Sequence, residues 1–167
     1  MEEQGKRAEE RLGWEGVERL VEKLLEQLPD PQGYDAILSI TRGGMIPAAL
    51  LSEALDIRNI MVAAVVFYQG PGEQQKKRPF FWQFPEGELV CQKRILVVDD
   101  IWSDGRTAMA VKIRLIASGA KPEVAVLHYR PADSQYPNER PDYVGAVTDK
   151  WIVYPWDRRA EGKLEPR

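Results

Sequence analysis

Ile95-Leu96-Val97-Val98-Asp99-Asp100-Ile101-Trp102-Ser103-Asp104-Gly105-Arg106-Thr107 is the segment in which residue type and spacing point most directly to chemistry. An apolar run delivers two adjacent carboxylates at its tip, and a short loop with Gly105 then opens a helix. The first N–H groups of a helix and the positive end of its dipole attract anions, and glycine lets the backbone approach a phosphate closely. Carboxylates beside such a site accept hydrogen bonds from a sugar diol or hold magnesium. One loop of this design grips a sugar phosphate at both ends. The competing reading is an acidic strand end followed by an ordinary capped helix. The Asp-Asp pair alone does not separate the two, whereas the whole thirteen-residue string favours the ligand site.

A second string, Ser39-Ile40-Thr41-Arg42-Gly43-Gly44-Met45-Ile46-Pro47-Ala48, places a multi-donor arginine fork beside two glycines whose backbone N–H groups are open to a ligand. It lacks the Gly-Lys-Ser/Thr ending of a Walker loop. As a bare turn, Arg-Gly-Gly would carry little meaning. A third string, Thr148-Asp149-Lys150-Trp151-Ile152-Val153-Tyr154-Pro155-Trp156-Asp157, follows Asp142-Tyr143-Val144. In isolation its tryptophans read as core.

The elements that must position these strings follow from the apolar pattern. Trp14, Val17, Leu20, Val21, Leu24, Leu25 and Leu28 recur at helical spacing among charges, which predicts an amphipathic helix over 14–28. Pro29-Asp30-Pro31-Gln32-Gly33 ends it. Ala36–Ile40, Ile60–Val66, Arg94–Val98 and Val124–His128 read as buried strands, and Tyr143–Val147 and Trp151–Tyr154 as terminal ones. Helices are expected from Pro47, suited to a first turn, to Leu55, and over Thr107–Ser118. This alternation implies an α/β fold with a mostly parallel sheet covered on both faces, whose ligands sit at the carboxyl ends of the strands. Both candidate loops fall at those ends. Gln69–Gly87, rich in Gly, Pro, Gln and Lys before Phe80, Phe81, Trp82 and Phe84, reads as one long loop, functional or disordered.

At 167 residues the chain suits one domain, 1–157, with a solvated tail over 158–167. A formal charge of -3 gives no general pull toward nucleic acid or anionic membrane. Lys76, Lys77 and Arg78 beside aromatics are a small footprint for single-stranded nucleic acid. One cysteine, Cys91, and one histidine, His128, leave neither a disulfide nor a zinc set, and both read as structural. The charged Met1–Arg11 opening is no signal peptide, and no apolar run has spanning length, so a cytoplasmic protein is expected.

From Trp14 to Asp157 the chain resembles the type I phosphoribosyltransferases, and the thirteen-residue string resembles their ribose-phosphate motif. The resemblance implies that Asp99 and Asp100 take the ribose hydroxyls, with Asp100 also a magnesium ligand, while Ser103, Asp104, Gly105, Arg106 and Thr107 wrap the 5′-phosphate. Thr41, Arg42, Gly43 and Gly44 resemble the pyrophosphate loop, where a cis peptide between Thr41 and Arg42 is implied. Trp-Ile-x-x-Pro-Trp-Asp resembles the base-binding hood of bacterial and archaeal xanthine–guanine and hypoxanthine enzymes. That likeness makes Trp151 the stacking platform and Ile152 a backbone reader of the base. Arg130 falls where those relatives have a lysine aimed at the purine 6-oxygen. Hood residues would span about 130–157, joined by the 14–28 helix. Gln69–Gly87 corresponds to the loop that closes over the reaction, with Tyr68 matching the tyrosine at its start. The implied reaction is transfer of phosphoribosyl from 5-phosphoribosyl 1-diphosphate to a 6-oxopurine, with magnesium, by a homodimer or homotetramer.

The chain departs from the family at Ser103, where most 6-oxopurine enzymes carry an aspartate that assists proton transfer near purine N7. The next position, usually a phosphate-binding threonine, is Asp104. A carboxylate facing a phosphate is repulsive unless it turns away or binds a cation. Either Asp104 swings into the base-side role and backbone N–H groups hold the phosphate, or the protein has lost efficient 6-oxopurine chemistry. In the second case it uses another base or binds nucleotides as a regulator. A flavodoxin-like signalling domain holding magnesium at Asp99-Asp100 would explain neither the Arg-Gly-Gly loop nor the hood.

Overall fold

The computed structural model describes residues 7–68 and 78–157, without the Tyr68 side chain. In chain order the elements are β1 (Glu9–Arg11), α1 (Trp14–Gln27), β2 (Ala36–Ile40), α2 (Met45–Leu55), β3 (Ile60–Tyr68), β4 (Arg78–Gln83), α3 (Gly87–Val90), β5 (Arg94–Trp102), α4 (Arg106–Ala117), β6 (Lys121–Tyr129), β7 (Tyr143–Val147) and β8 (Trp151–Val153). Six strands form one sheet in the order β4-β3-β2-β5-β6-β7, parallel throughout except for β4. β1 and β8 form a separate parallel pair, Glu9 opposite Trp151.

Alternation along the central strands explains why the sheet is covered on both faces. Ile37, Leu96, Val98, Ala125 and Leu127 face a core built with Val17, Leu20, Val21 and Leu24 of α1 and Ala48 and Leu51 of α2. Leu38, Ile95, Val97, Val124 and Val126 point the other way, into a core with Ala108, Val111 and Leu115 of α4. Period two gives each strand two buried faces, so these segments are apolar runs rather than alternating ones. Truncating one of these fully buried leucines to alanine would cost about 2–5 kcal/mol. The sheet is therefore a rigid platform for what its strand ends carry.

Three expectations change. The long loop over Gln69–Gly87 gives way to β4 and α3 in its second half, and residues 69–77, with Lys76 and Lys77, lie outside the described residues. β4 forms because its aromatic residues suit an extended edge. Phe81 meets Phe84 edge-on at 5.2 Å, and the Arg114 guanidinium lies over both rings. β5 continues past Val98 to Trp102, so both carboxylates stand on the strand rather than beyond it. β8 pairs with β1, which the charged opening residues gave no apolar pattern to reveal.

Candidate active site

β5 supplies the acidic pair. The Asp100 N–H donates to Asp99 Oδ1 at 2.9 Å, which fixes one carboxylate against the backbone of the next residue. Burial, then the neighbouring Asp100 charge, pushes the Asp99 carboxyl well above the usual carboxylate range. Burial likewise raises Asp100, to about 6, and the nearby Asp157 charge adds to the effect. Two ionised carboxylates held here are poorly solvated, and hydroxyl donors or a cation would relieve them.

After the pair the chain turns over Trp102, whose ring is 1% exposed and whose indole N–H donates to Ser134 Oγ at 3.3 Å. Gly105 has φ +78° and lies directly on that indole, where any Cβ would collide. α4 then begins at Arg106. The Asp104 carboxylate turns into its own loop, Oδ1 accepting the Arg106 N–H at 3.0 Å, an Asx-type turn that occupies one of the leading donors of the helix. The Asp104 carbonyl in turn accepts the Gln135 N–H at 3.0 Å. Arg106 stacks its guanidinium 4.2 Å over Phe67. Ser103 is partly exposed between these groups, and Thr107 follows in the first turn of α4.

The Thr41–Gly44 loop leaves β2 and enters α2. The Thr41-Arg42 peptide is cis. Thr41 N–H donates to the Ala63 carbonyl and Gly44 N–H to the Ile40 carbonyl, each at 2.9 Å. Gly43 abuts the Asp100 carboxylate, and Gly44 abuts the Val98 carbonyl and lies near Asp99 Cα. A side chain at Gly44 would strike backbone and one at Gly43 would displace the Asp100 carboxylate, so the two glycines let one loop lie on the other. The two anion-binding candidates thus meet at Asp100.

β8 brings the aromatic part. The Trp151 ring is 57% exposed, whereas Ile152 beside it is buried. The Tyr154 hydroxyl donates to the Asp100 carbonyl at 2.9 Å and meets His128 Nδ1 at 2.8 Å. Its ring stacks on Trp156, 4.8 Å away and nearly parallel, and Trp14 meets Trp156 at a tilt, 5.9 Å between centroids. Arg130, just after β6, places its guanidinium carbon 5.6 Å from the Trp151 ring centroid. Its Nη1 donates to Asp133 at 2.9 Å. Tyr68 closes β3, its backbone paired with Arg78. His128 is buried, and burial, with Arg130 contributing, pushes its pKa down to about 4. Sequence reasoning assigned no role to Tyr154, Asp133 or Arg7. Tyr154 stood inside the quoted hood string, but nothing in its spacing singled out its hydroxyl.

Among the described residues, no helix is long and apolar enough to cross a membrane. Residues 9–161 match the phosphoribosyl transferase domain family. A purine phosphoribosyltransferase from Pyrococcus horikoshii Ot3 is 31% identical in sequence and superposes with a TM-score of 0.74, covering 95% of this chain and 97% of that one. The xanthine-guanine phosphoribosyltransferase of Cereibacter sphaeroides is 30% identical over 152 residues, 87% of this chain and 85% of its own length. A Neisseria gonorrhoeae protein solved with bound ppGpp is 26% identical with a TM-score of 0.78, covering 92% of each chain. With the match spanning both loops and the strand that carries Trp151, this chain belongs to the phosphoribosyltransferase family.

Proposed function

We propose that the protein transfers the phosphoribosyl group of 5-phosphoribosyl 1-diphosphate to a 6-oxopurine and releases pyrophosphate. The observation that carries this reading is the contact of Gly43 with the Asp100 carboxylate, together with the Tyr154 bond that ties Asp100 to the strand of Trp151. Groups suited to pyrophosphate, ribose and a flat base thereby adjoin one another. The names of the relatives, purine and xanthine-guanine phosphoribosyltransferases, support the 6-oxopurine class.

In the reaction a ring nitrogen of the base bonds to the anomeric carbon as the bond from that carbon to pyrophosphate oxygen breaks, and the proton of the base passes to water or to the departing pyrophosphate. Arg42 and the Gly43 backbone hold the leaving pyrophosphate, whereas the Gly44 N–H, expected from the sequence to face the ligand, is already taken by the Ile40 carbonyl. Backbone N–H groups from Ser103 to Thr107 hold the 5′-phosphate. Asp99 and Asp100 accept from the ribose hydroxyls and face the positive charge that develops on the sugar, which preorganised carboxylates stabilise. Trp151 stacks on the base, Ile152 reads its edge through the backbone, and Arg130 meets its 6-oxygen. Tyr68 begins the segment that covers the reaction.

Magnesium suits the donor set. It commonly takes one or two carboxylates together with substrate phosphates, and the half-buried Asp99 and Asp100 lack a counter-cation among the described residues. Asp100, beside the Gly43 loop, would hold the ion, which would supply positive charge beside the leaving pyrophosphate. The family reading also makes the protein a cytoplasmic homodimer or homotetramer, which analytical ultracentrifugation tests.

A second reading, a regulator with little turnover, is favoured by one specific contact. The Asp104 carboxylate already occupies the Arg106 N–H that a 5′-phosphate would use. The ppGpp-bound relative shows that a protein of similar sequence and fold can hold a nucleotide. A turnover screen with labelled phosphoribosyl diphosphate and hypoxanthine, guanine, xanthine and adenine separates the two. Binding without turnover of any base would leave the regulator standing.

A further inference from the structure

Arg130 is the one charged side chain among the described residues that the fold buries, at 5% exposure. Its Nη1 is bonded to Asp133, while its buried Nε–H has no acceptor. An ionised donor left dry and unpaired is costly, and native folds rarely keep one without reason. Here the guanidinium borders the exposed Trp151 ring. A flat ligand on that ring would lie against the guanidinium.

What aims the guanidinium lies outside the base site. Asp133 is gripped by Arg7 through two hydrogen bonds, 2.6 Å from Nη1 to Oδ2 and 2.7 Å from Nη2 to Oδ1. Oδ2 is shared between Arg7 and Arg130, so neither arginine has the whole carboxylate. The Arg7 bonds above all, with Arg130 adding, hold Asp133 down to a pKa of about 2, so it stays ionised at any working pH. The same short segment also fixes the ring. The Ala8 carbonyl accepts the Trp151 N–H at 2.9 Å, and Glu9 sits opposite Trp151 in the β1–β8 pair. The residues from Arg7 to Glu9 thus hold both the stacking platform and, through Asp133, the donor beside it.

We propose that Arg7 and Asp133 are positioning residues for base choice, which hold the Arg130 guanidinium at the carbonyl edge of a purine stacked on Trp151. The carbonyl of a 6-oxopurine accepts from the guanidinium. A 6-aminopurine brings an N–H to the same edge and leaves the donor unpaired, the kind of mismatch that polar sites reject strongly. Without Arg7, Asp133 is released to pair with Arg130 through both oxygens and draws the donor away from the base. The inference rests on the transferase reading and adds two residues to it.

Isothermal titration of guanosine and adenosine monophosphate into the full-length protein, with phosphoribosyl diphosphate titrated separately, tests it. Arg7 is 40% exposed, so Arg7→Gln does not open the core. This variant should narrow the preference for guanosine over adenosine monophosphate by about tenfold, the scale of one weakened charge-assisted hydrogen bond. Affinity for phosphoribosyl diphosphate should not change. Arg7→Lys, which still engages Asp133, should recover part of the preference, and Asp133→Asn should lose it as Arg7→Gln does. An unaltered preference in Arg7→Gln and Asp133→Asn overturns the proposal. So does a parallel loss of phosphoribosyl diphosphate binding, which would mean general loosening. Wild-type protein that binds neither nucleotide nor phosphoribosyl diphosphate would bring down the transferase reading, and this inference with it.

Discussion

Tyr154 spends its one hydroxyl proton on the Asp100 carbonyl, 2.9 Å away, so its contact with His128 Nδ1 at 2.8 Å has the ring nitrogen as donor. The histidine is therefore the Nδ1–H tautomer, and its hydrogen bond passes through Tyr154 to the strand end that carries the carboxylates. β8, with Trp151, and β5, with Asp99 and Asp100, are joined by this relay rather than by sheet pairing. Trp151 and the acidic pair, proposed above as base platform and ribose site, are held in relative position by two side chains.

Tyr154→Phe should uncouple them. The change strands the Asp100 carbonyl and the His128 N–H, and a buried group left unpaired costs about 1–3 kcal/mol. The melting temperature should fall, and the affinity for phosphoribosyl diphosphate should weaken although the variant touches no ligand. A variant that melts and binds like the wild type would show that Tyr154 transmits nothing to Asp100.

Much of this arrangement was legible in the sequence where pattern and local chemistry agree. The apolar runs Ala36–Ile40 and Tyr143–Val147 coincide with β2 and β7. Gly44 and Gly105 stand where Val98 and Trp102 exclude a side chain, and Gly43 lies against the Asp100 carboxylate. The rest was hidden for physical reasons. β4 is an exposed aromatic edge strand with no buried alternation, so its composition read as loop. β1 is three charged residues stabilised by a partner about 140 positions away, as β-pairing allows. The roles of Tyr154, Asp133 and Arg7 depend on bonds spanning 54, 3 and 126 positions, and the longer two leave no trace in local spacing.

Acid should destabilise the protein through His128. Its folded pKa of about 4 lies below the ordinary 6.5, so the unfolded chain binds the extra proton first. The stability this neutral histidine contributes is complete above pH 6.5 and is lost as pH falls from there toward 4. That shift amounts to roughly 3 kcal/mol in full. Glu10 opposes the shift, Arg130 and burial produce it, and Tyr154 is the direct partner. Urea midpoints at pH 7, 5.5 and 4.5 should drop more steeply for the wild type than for His128→Gln, which does not titrate. Parallel curves would show that the acid response comes from other groups.

Trp151 should report the base directly. Its ring is exposed, so Trp151→Ala opens no cavity and the fold should persist. Stacking of a base on an aromatic ring is worth about 1–3 kcal/mol, which predicts guanosine monophosphate binding at least several-fold weaker. Nucleotide should quench wild-type tryptophan emission, and the variant should lose most of that response. Five tryptophans share the signal, so the difference between the two proteins is what counts. Full quenching in the variant would move the base away from Trp151.

The Ser103-Asp104 pair poses the sharpest test, because the structure gives Asp104 an occupation. Its carboxylate accepts the Arg106 N–H at the start of α4 and so places a negative charge where the proposed reaction would seat the 5′-phosphate. Phosphate must displace that carboxylate before it can use the same donor, and like charges this close repel. Asp104→Thr alone should therefore tighten nucleoside monophosphate binding, with little change in turnover. Ser103→Asp alone should gain little, since Asp104 stays in place and a second carboxylate arrives beside it. The exchange of both, Ser103→Asp with Asp104→Thr, clears the donor and supplies a carboxylate that can move a proton near the base, which a serine hydroxyl does not do near neutral pH. General acid–base help of this kind is worth about 10²–10⁴ in rate. Turnover of hypoxanthine or guanine should thus rise more than substrate affinity, the pattern of an interaction made mainly in the transition state. Fast turnover by the wild type would mean that Asp104 leaves Arg106 during the reaction and does the work itself. No gain from the exchange, in a protein that still binds phosphoribosyl diphosphate, would turn the assignment toward the regulator.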